Sequence, residues 1–124
     1  MKNQLINSLI DLILENKEMQ SIDLINTQRE NLIIGKTEDL GNSKYVNLKV
    51  NQDMGSVSTI QFSVVSVMFW EYTQNIPIDC ILHFKNGYID SLEVYSCDGR
   101  NFENINLANI DIRDRSLGST ISHY

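Results

Sequence analysis

Apolar residues between positions 4 and 15 recur at helical spacing. Leu5, Leu9, Leu12 and Ile13 form a stripe, widened by Ile6, Ile10 and Leu14, while Asn3, Asn7, Asp11 and Glu15 fall on the other side. This pattern predicts an amphipathic helix over 4–15. Ser21 then suits an N-cap, with Asp23 in the first turn where a negative charge complements the helix dipole. Ile22, Leu24 and Ile25 extend this into a short second helix ending near Arg29. Leu32, Ile33 and Ile34 follow as a brief strand that Gly35 stops.

From residue 38 onward the period changes to two. Residues 38–44 read as a turn. Tyr45 to Val50 alternates, with Val46, Leu48 and Val50 on one face and Asn47 and Lys49 on the other, as in a half-buried strand. Asn51 to Ser56 is a loop. Ile60 to Tyr72 is the most strongly β segment. It alternates at first and then carries apolar residues on both faces, which predicts a bulge or a central strand covered on both sides. Pro77 closes the following loop. Ile105, Leu107, Ile110 and Ile112 predict a last strand near 107–113.

Residues 78–96 form a hairpin around Lys85-Asn86-Gly87, and two registers compete. A two-residue Asn-Gly turn pairs Lys85 with Tyr88 and sets a carboxylate, Glu93, opposite Cys80. A three-residue loop with a bulge at Gly87 pairs Phe84 with Tyr88 and Cys80 with Leu92. The second register gathers Ile78, Cys80, Leu82, Phe84, Tyr88, Leu92 and Val94 on one face, with Asp90 the one polar member. Because a one-residue slip exchanges the faces, burial selects this register. The opposite face then holds Asp79, Ile81, His83, Ile89, Ser91, Glu93 and Tyr95. The elements together predict an α+β fold, a single domain over 1–124. One or two N-terminal helices would pack on one face of an antiparallel sheet of five to six strands.

The chain of 124 residues is long enough for one core, burying roughly two thirds of its unfolded surface. Ten Lys and Arg against sixteen Asp and Glu give a net charge of −6. The excess is local: residues 71–114 hold eight acids and three bases. Such a field repels phosphate backbones and disfavours nucleic acid. It attracts a basic protein and speeds the encounter. Solubility alone also accounts for charge of this size. No apolar run approaches the ~20 residues of a membrane span. The Leu5–Leu14 stretch is interrupted by Asn7, Ser8 and Asp11, unlike a signal peptide, so the expected compartment is the cytoplasm.

Candidate chemistry is sparse. Cys80 and Cys97 are too few for a disulfide framework. Cys80 lies opposite Leu92 in the chosen register, roughly 16 Å from Cys97 along the strand, so both thiols are expected free. His83 and His123 are the two histidines. His83, near Asp79 and Glu93, could serve as a general base, yet no second histidine, HExxH or paired CxxC supplies a metal set. No phosphate-cradling loop, calcium loop or GxSxG is present. In this register Asp79 and Glu93 face each other across the hairpin. That like-charge pair either raises one pKa or awaits a cationic partner. No catalytic residue, metal or cofactor is expected.

The stretch Ile76-Pro77-Ile78-Asp79-Cys80-Ile81-Leu82-His83-Phe84-Lys85-Asn86-Gly87-Tyr88-Ile89-Asp90-Ser91-Leu92-Glu93-Val94-Tyr95-Ser96-Cys97-Asp98-Gly99 resembles a hairpin found in small, uncharacterised bacterial single-domain proteins. Their pattern is IPxxxxLHxxxGx(I/L)xxLE(V/I)YxxDG after an N-terminal helix and several strands. Similar short acidic proteins serve as immunity partners in bacterial toxin systems, including contact-dependent inhibition. The resemblance implies a non-enzymatic immunity protein that neutralises a basic toxin, such as a nuclease. The alternative is a small enzyme or ligand-binding domain with a pocket between helices and sheet, using His83 with Asp79 or Glu93. For the toxin reading the expected contact residues are Asp79, His83, Glu93, Tyr95 and Asp98, with Trp70 and Tyr72 at a strand end. The competing arrangement has the helices covering that face.

Overall fold

The computed structural model describes residues 1–15, 23–51, 64–71, 75–102, 110–111 and 119–122. Two helices, α1 (Asn3–Leu14) and α2 (Asp23–Glu30), precede the strands β1 (Ile33–Asp39), β2 (Ser43–Lys49), β3 (Val64–Glu71), β4 (Ile76–Lys85), β5 (Tyr88–Ser96), β6 (Ile110–Asp111) and β7 (Ser119–Ser122). The sheet is antiparallel throughout, in the order β1-β2-β5-β4-β3, and both short strands pair with β3. The fold is α+β with the N-terminal helices ahead of the sheet. Ser21 and Ile22, residues 52–63, Tyr72, the ends of the expected 107–113 strand and His123 lie outside the described residues. No described helix is long and apolar enough to cross a membrane.

The hydrophobic stripe of α1 becomes one side of the core. Ile6, Leu9, Ile10 and Ile13 are buried there with Ile25 of α2. The sheet meets them with Val46 and Leu48 from β2, Val65, Val67 and Phe69 from β3, Ile78, Cys80, Leu82 and Phe84 from β4, and Ile89, Leu92 and Val94 from β5. Each Leu or Ile taken fully from water contributes about 1.5–3 kcal/mol, so this one layer dominates the stability. Arg29 of α2 bonds Asp11 Oδ1 at 2.7 Å and Asn7 Oδ1 at 2.9 Å on α1. That contact aligns the two helices but adds little free energy at a surface position.

The hairpin departs from the sequence expectation in its turn and in the faces of the residues beside it, and preserves the faces from Ser91 onward. Asn86 and Gly87 both have positive φ, 54° and 82°, which is a two-residue turn of type I′. Lys85 is therefore opposite Tyr88, and Phe84 is opposite Ile89 rather than Tyr88. The next pair is His83 with Ser91, so Asp90 is an extra residue on β5 with no opposite number. This bulge shifts the ladder by one. Leu82 meets Leu92, Cys80 meets Val94 and Ile78 meets Ser96. Without it the two-residue turn would set Glu93 opposite Cys80 inside the core. Burial of Leu92 and Val94 is satisfied by a bulge on the strand rather than by a longer loop. Ile89 takes the core position expected of Tyr88.

The buried Gln28 side chain of α2 clamps this turn. Its Nε2 donates to the Gly87 carbonyl at 2.9 Å, and its Oε1 accepts from the Ile89 N–H at 2.9 Å. The amide thus acts as a short piece of strand where β2 no longer pairs with β5, whose shared ladder ends at Asn47 and Ser91.

Gly35 does not stop β1. The strand continues to Asp39, with a bulge between Ile34 and Thr37, and a Cβ on Gly35 would meet the Asn47 carbonyl at 3.0 Å. A glycine inside a strand here marks a close backbone approach. The turn expected over 38–44 shrinks to Leu40–Asn42, with Gly41 at φ 88° and its N–H bonded to Asp39 Oδ1 at 3.0 Å. Cys80 lies opposite Val94 instead of Leu92, and both cysteines are free as expected, Cys80 buried and Cys97 exposed.

Replacing Gln28 by Leu strands a buried N–H and a carbonyl at the turn. The expected outcome is a loss of about 2–4 kcal/mol in chemical denaturation, since each unsatisfied buried group costs about 1–3 kcal/mol.

Candidate functional site

The helices occupy one face of the sheet, which leaves the other to the odd-numbered residues of β4. Register places Asp79 opposite Tyr95, Ile81 opposite Glu93 and His83 opposite Ser91. On β2, Tyr45 is opposite Glu93, and on β3, Ser66 and Met68 flank Ile81 and Asp79. Four of the residues expected from the sequence, Asp79, His83, Glu93 and Tyr95, thus share one side of two adjacent strands, β4 and β5. The arrangement in which the helices cover this face is not the one adopted, since α1 and α2 pack on the opposite face.

The side chains are hydrogen-bonded in pairs. His83 Nε2 and Glu93 Oε1 lie 3.2 Å apart, with side chains 33% and 29% exposed. The Tyr95 hydroxyl donates to Asp79 Oδ2 at 3.0 Å. Ser91 Oγ donates to the Tyr45 hydroxyl at 2.7 Å, and the Tyr45 and His83 rings are tilted with centroids 6.1 Å apart. Asp79 and Glu93 are not opposite one another as expected. The two-residue turn and the bulge at Asp90 each move Glu93 one place along, so the two carboxylates are diagonal and Tyr95 stands across from Asp79.

Desolvation raises the Asp79 pKa; the Tyr95 hydroxyl and the Cys80 backbone oppose it, and Glu93 reinforces it. Asp79 Oδ1 is buried and has no hydrogen-bond partner. Burial and the bond to Asp79 push the Tyr95 phenol up to about 12. Burial likewise raises both thiols, Cys80 far more than Cys97, and neither is an activated nucleophile.

The remaining expected residues separate from this cluster. Asp98 sits in the turn after β5, where its carboxylate accepts from the Arg100 N–H at 2.9 Å and pairs with the guanidinium at 3.5 Å. Trp70 pairs with Pro77 on β3, but its side chain and all of Tyr72 lie outside the described residues. Glu71, one of the acids that make residues 71–114 so negative, is buried on the helix face opposite Ile76. Tyr45 and Ser91 belong to the cluster without having been singled out. Alternation puts Tyr45 on the polar side of its strand, but only the pairing of β2 with β5 sets it beside Ser91 and Glu93.

Among the described residues, no group of three His, Cys, Asp or Glu side chains could hold a metal. A concavity of about 980 Å³ opens at the other end of the hairpin, between Leu48–Asn51 and Lys85–Asp90. It shares no residue with the cluster. Comparison with known proteins gives no match, whether to family models, curated sequences or solved structures.

The raised Asp79 pKa makes a signed prediction. The folded state holds the proton at pH values where the unfolded state, near 3.8, has lost it. The Asp79 contribution to stability is therefore full below that value and is lost as pH rises through the folded pKa. Asp79→Asn removes this loss and should gain on the wild type as pH rises toward neutrality, as measured by denaturation at several pH values. In the same variant the Tyr95 phenol should titrate lower than about 12, read as the ultraviolet difference against Tyr95→Phe.

Proposed function

We propose that this chain is a non-enzymatic binding protein, an immunity protein that neutralises a basic bacterial toxin through the sheet face opposite its helices. The observation that carries this reading is the convergence of Asp79, Glu93, His83 and Tyr95 on that face. Two carboxylates one diagonal apart suit a cationic partner, because a Lys or Arg reaching them would relieve their mutual repulsion. Tyr45, Tyr95 and Ile81 add aromatic and aliphatic contact between the charges. The toxin would be met in the cytoplasm. This toxin assignment rests on the hairpin resemblance and on the acidic charge.

The His83–Glu93 contact favours a second reading, a small acid–base enzyme. The binding reading is preferred because these groups line a sheet face, whereas the concavity lies elsewhere and presents Lys49, Lys85 and Tyr88 instead.

The test uses the product of the gene immediately upstream as the candidate toxin. Co-expression should protect cells, and the purified proteins should associate rapidly at low salt. In Asp79→Asn/Glu93→Gln the association rate should fall about tenfold or more and its salt dependence should flatten. Asp98→Asn should change neither, because Arg100 already holds that carboxylate. Unchanged affinity and unchanged salt dependence in a folded double variant would remove this face from the interface. In His83→Gln, protection that falls only as far as toxin affinity falls supports binding, whereas protection lost with affinity intact supports catalysis.

A further inference from the structure

β1 ends the sheet: among the described residues it has one neighbour, β2, and five of its seven residues are exposed. Two of the exposed large hydrophobic residues mark its ends, Ile33 at its first position, 59% exposed, and Leu40 just after its last, 58% exposed. An open edge of this kind is a template for another strand. The question is which strand it fits.

The backbone sets the centre of pairing. The Leu40 N–H donates to the Ser43 carbonyl at 2.9 Å. Alternation along an antiparallel ladder then turns the Glu38 amide groups toward β2 and those of Thr37 and Asp39 outward. A second β1, related by a two-fold axis through Thr37, would exchange both hydrogen bonds between the two Thr37 residues. Lys36 of each copy then lies opposite Glu38 of the other.

The bulge refines the remaining pairs. Gly35 and Lys36 together oppose the single residue Asn47 on β2, because Ile34 pairs with Leu48 and Thr37 with Val46. Counted the same way on the outer edge, Ile33 of one copy comes opposite Leu40 of the other. Both belong to the same side of the sheet, since Ile33 pairs with Lys49 and Leu40 hydrogen-bonds Ser43, each an odd-numbered β2 position. The edge is therefore self-complementary in hydrogen bonds, in charge and in its apolar residues. Lysine and a bulge usually blunt an edge strand. Here the lysine meets its counter-charge and the bulge brings the apolar pair together.

We infer that two copies of this chain associate edge to edge through β1, forming a continuous antiparallel sheet across a two-fold axis at Thr37. This assembly rests on β1 and is independent of the toxin-binding reading. Sedimentation velocity of the full chain over a concentration series should show a reversible dimer. Lys36→Glu and Glu38→Lys each set like charges opposite one another twice per dimer and should weaken it about tenfold or more. The double exchange Lys36→Glu/Glu38→Lys should restore it. Leu40→Asp should weaken it without any change in the charge pairs. Hydrogen exchange at the Thr37 amide should slow as protein concentration rises. A wild type that is monomeric at every concentration, or a dimer indifferent to both single reversals, would overturn the inference.

Discussion

One unpaired residue, Asp90, governs which side of β5 sees the helices. The type I′ turn at Asn86-Gly87 is favoured by its own φ values and by the twist it gives the strands. By itself that turn would send Leu92 and Val94 outward and Glu93 inward. Ionised carboxylates are expensive to bury without partners, whereas Leu92 and Val94 each add a buried aliphatic side chain to the core. The extra residue resolves the conflict by shifting the ladder between Phe84 and His83. Everything beyond it depends on that shift, including the meeting of Cys80 with Val94 and the presence of Glu93 beside His83.

The bulge would leave backbone groups near the turn short of partners, because β2 stops pairing with β5 at Asn47. Gln28 supplies them from another element. A glutamine amide carries a donor and an acceptor in nearly the geometry of a peptide group, so one side chain satisfies both Gly87 and Ile89. The same contact fixes where α2 sits on the sheet. Helix placement and hairpin register are therefore one structural decision, made by a residue with no apolar signature.

The two faces differ in how they use polar atoms. The helix face is apolar except at its margins, where Gln28, Glu71 and Ser96 are buried. The opposite face is half-buried, and its polar side chains are paired: Tyr45 with Ser91, His83 with Glu93 and Asp79 with Tyr95. Partial burial gives these groups their character. Asp79 is sufficiently desolvated for its pKa to rise, yet it remains close enough to a phenol to be partly compensated. A basic partner that completed this compensation would gain from charges the fold already holds in place. The acidic excess of residues 71–114 is not a single patch, because Asp98 is neutralised within its own turn and Glu71 lies on the helix side.

The local pattern of the sequence determined the helices, the outline of β2 to β5 and most of the membership of their faces, though not β7 or the core place of Ile89. The reason is that 3.6-residue and two-residue periodicities are written into single segments. The stripe of α1, the alternation of β2 and the apolar even positions of β4 were all legible without any partner. So were Asp79, His83, Glu93 and Tyr95 as members of one face. The tertiary structure decided what depends on segments far apart in the chain. It chose a bulge over a longer loop, because both solutions bury Leu92 and Val94 and only the pairing with Gln28 and the turn distinguishes them. It carried β1 through Gly35, because the approach of Asn47 cannot be seen in β1 alone. It brought Tyr45 to Ser91 and Glu93, a meeting that strand order creates and no spacing announces.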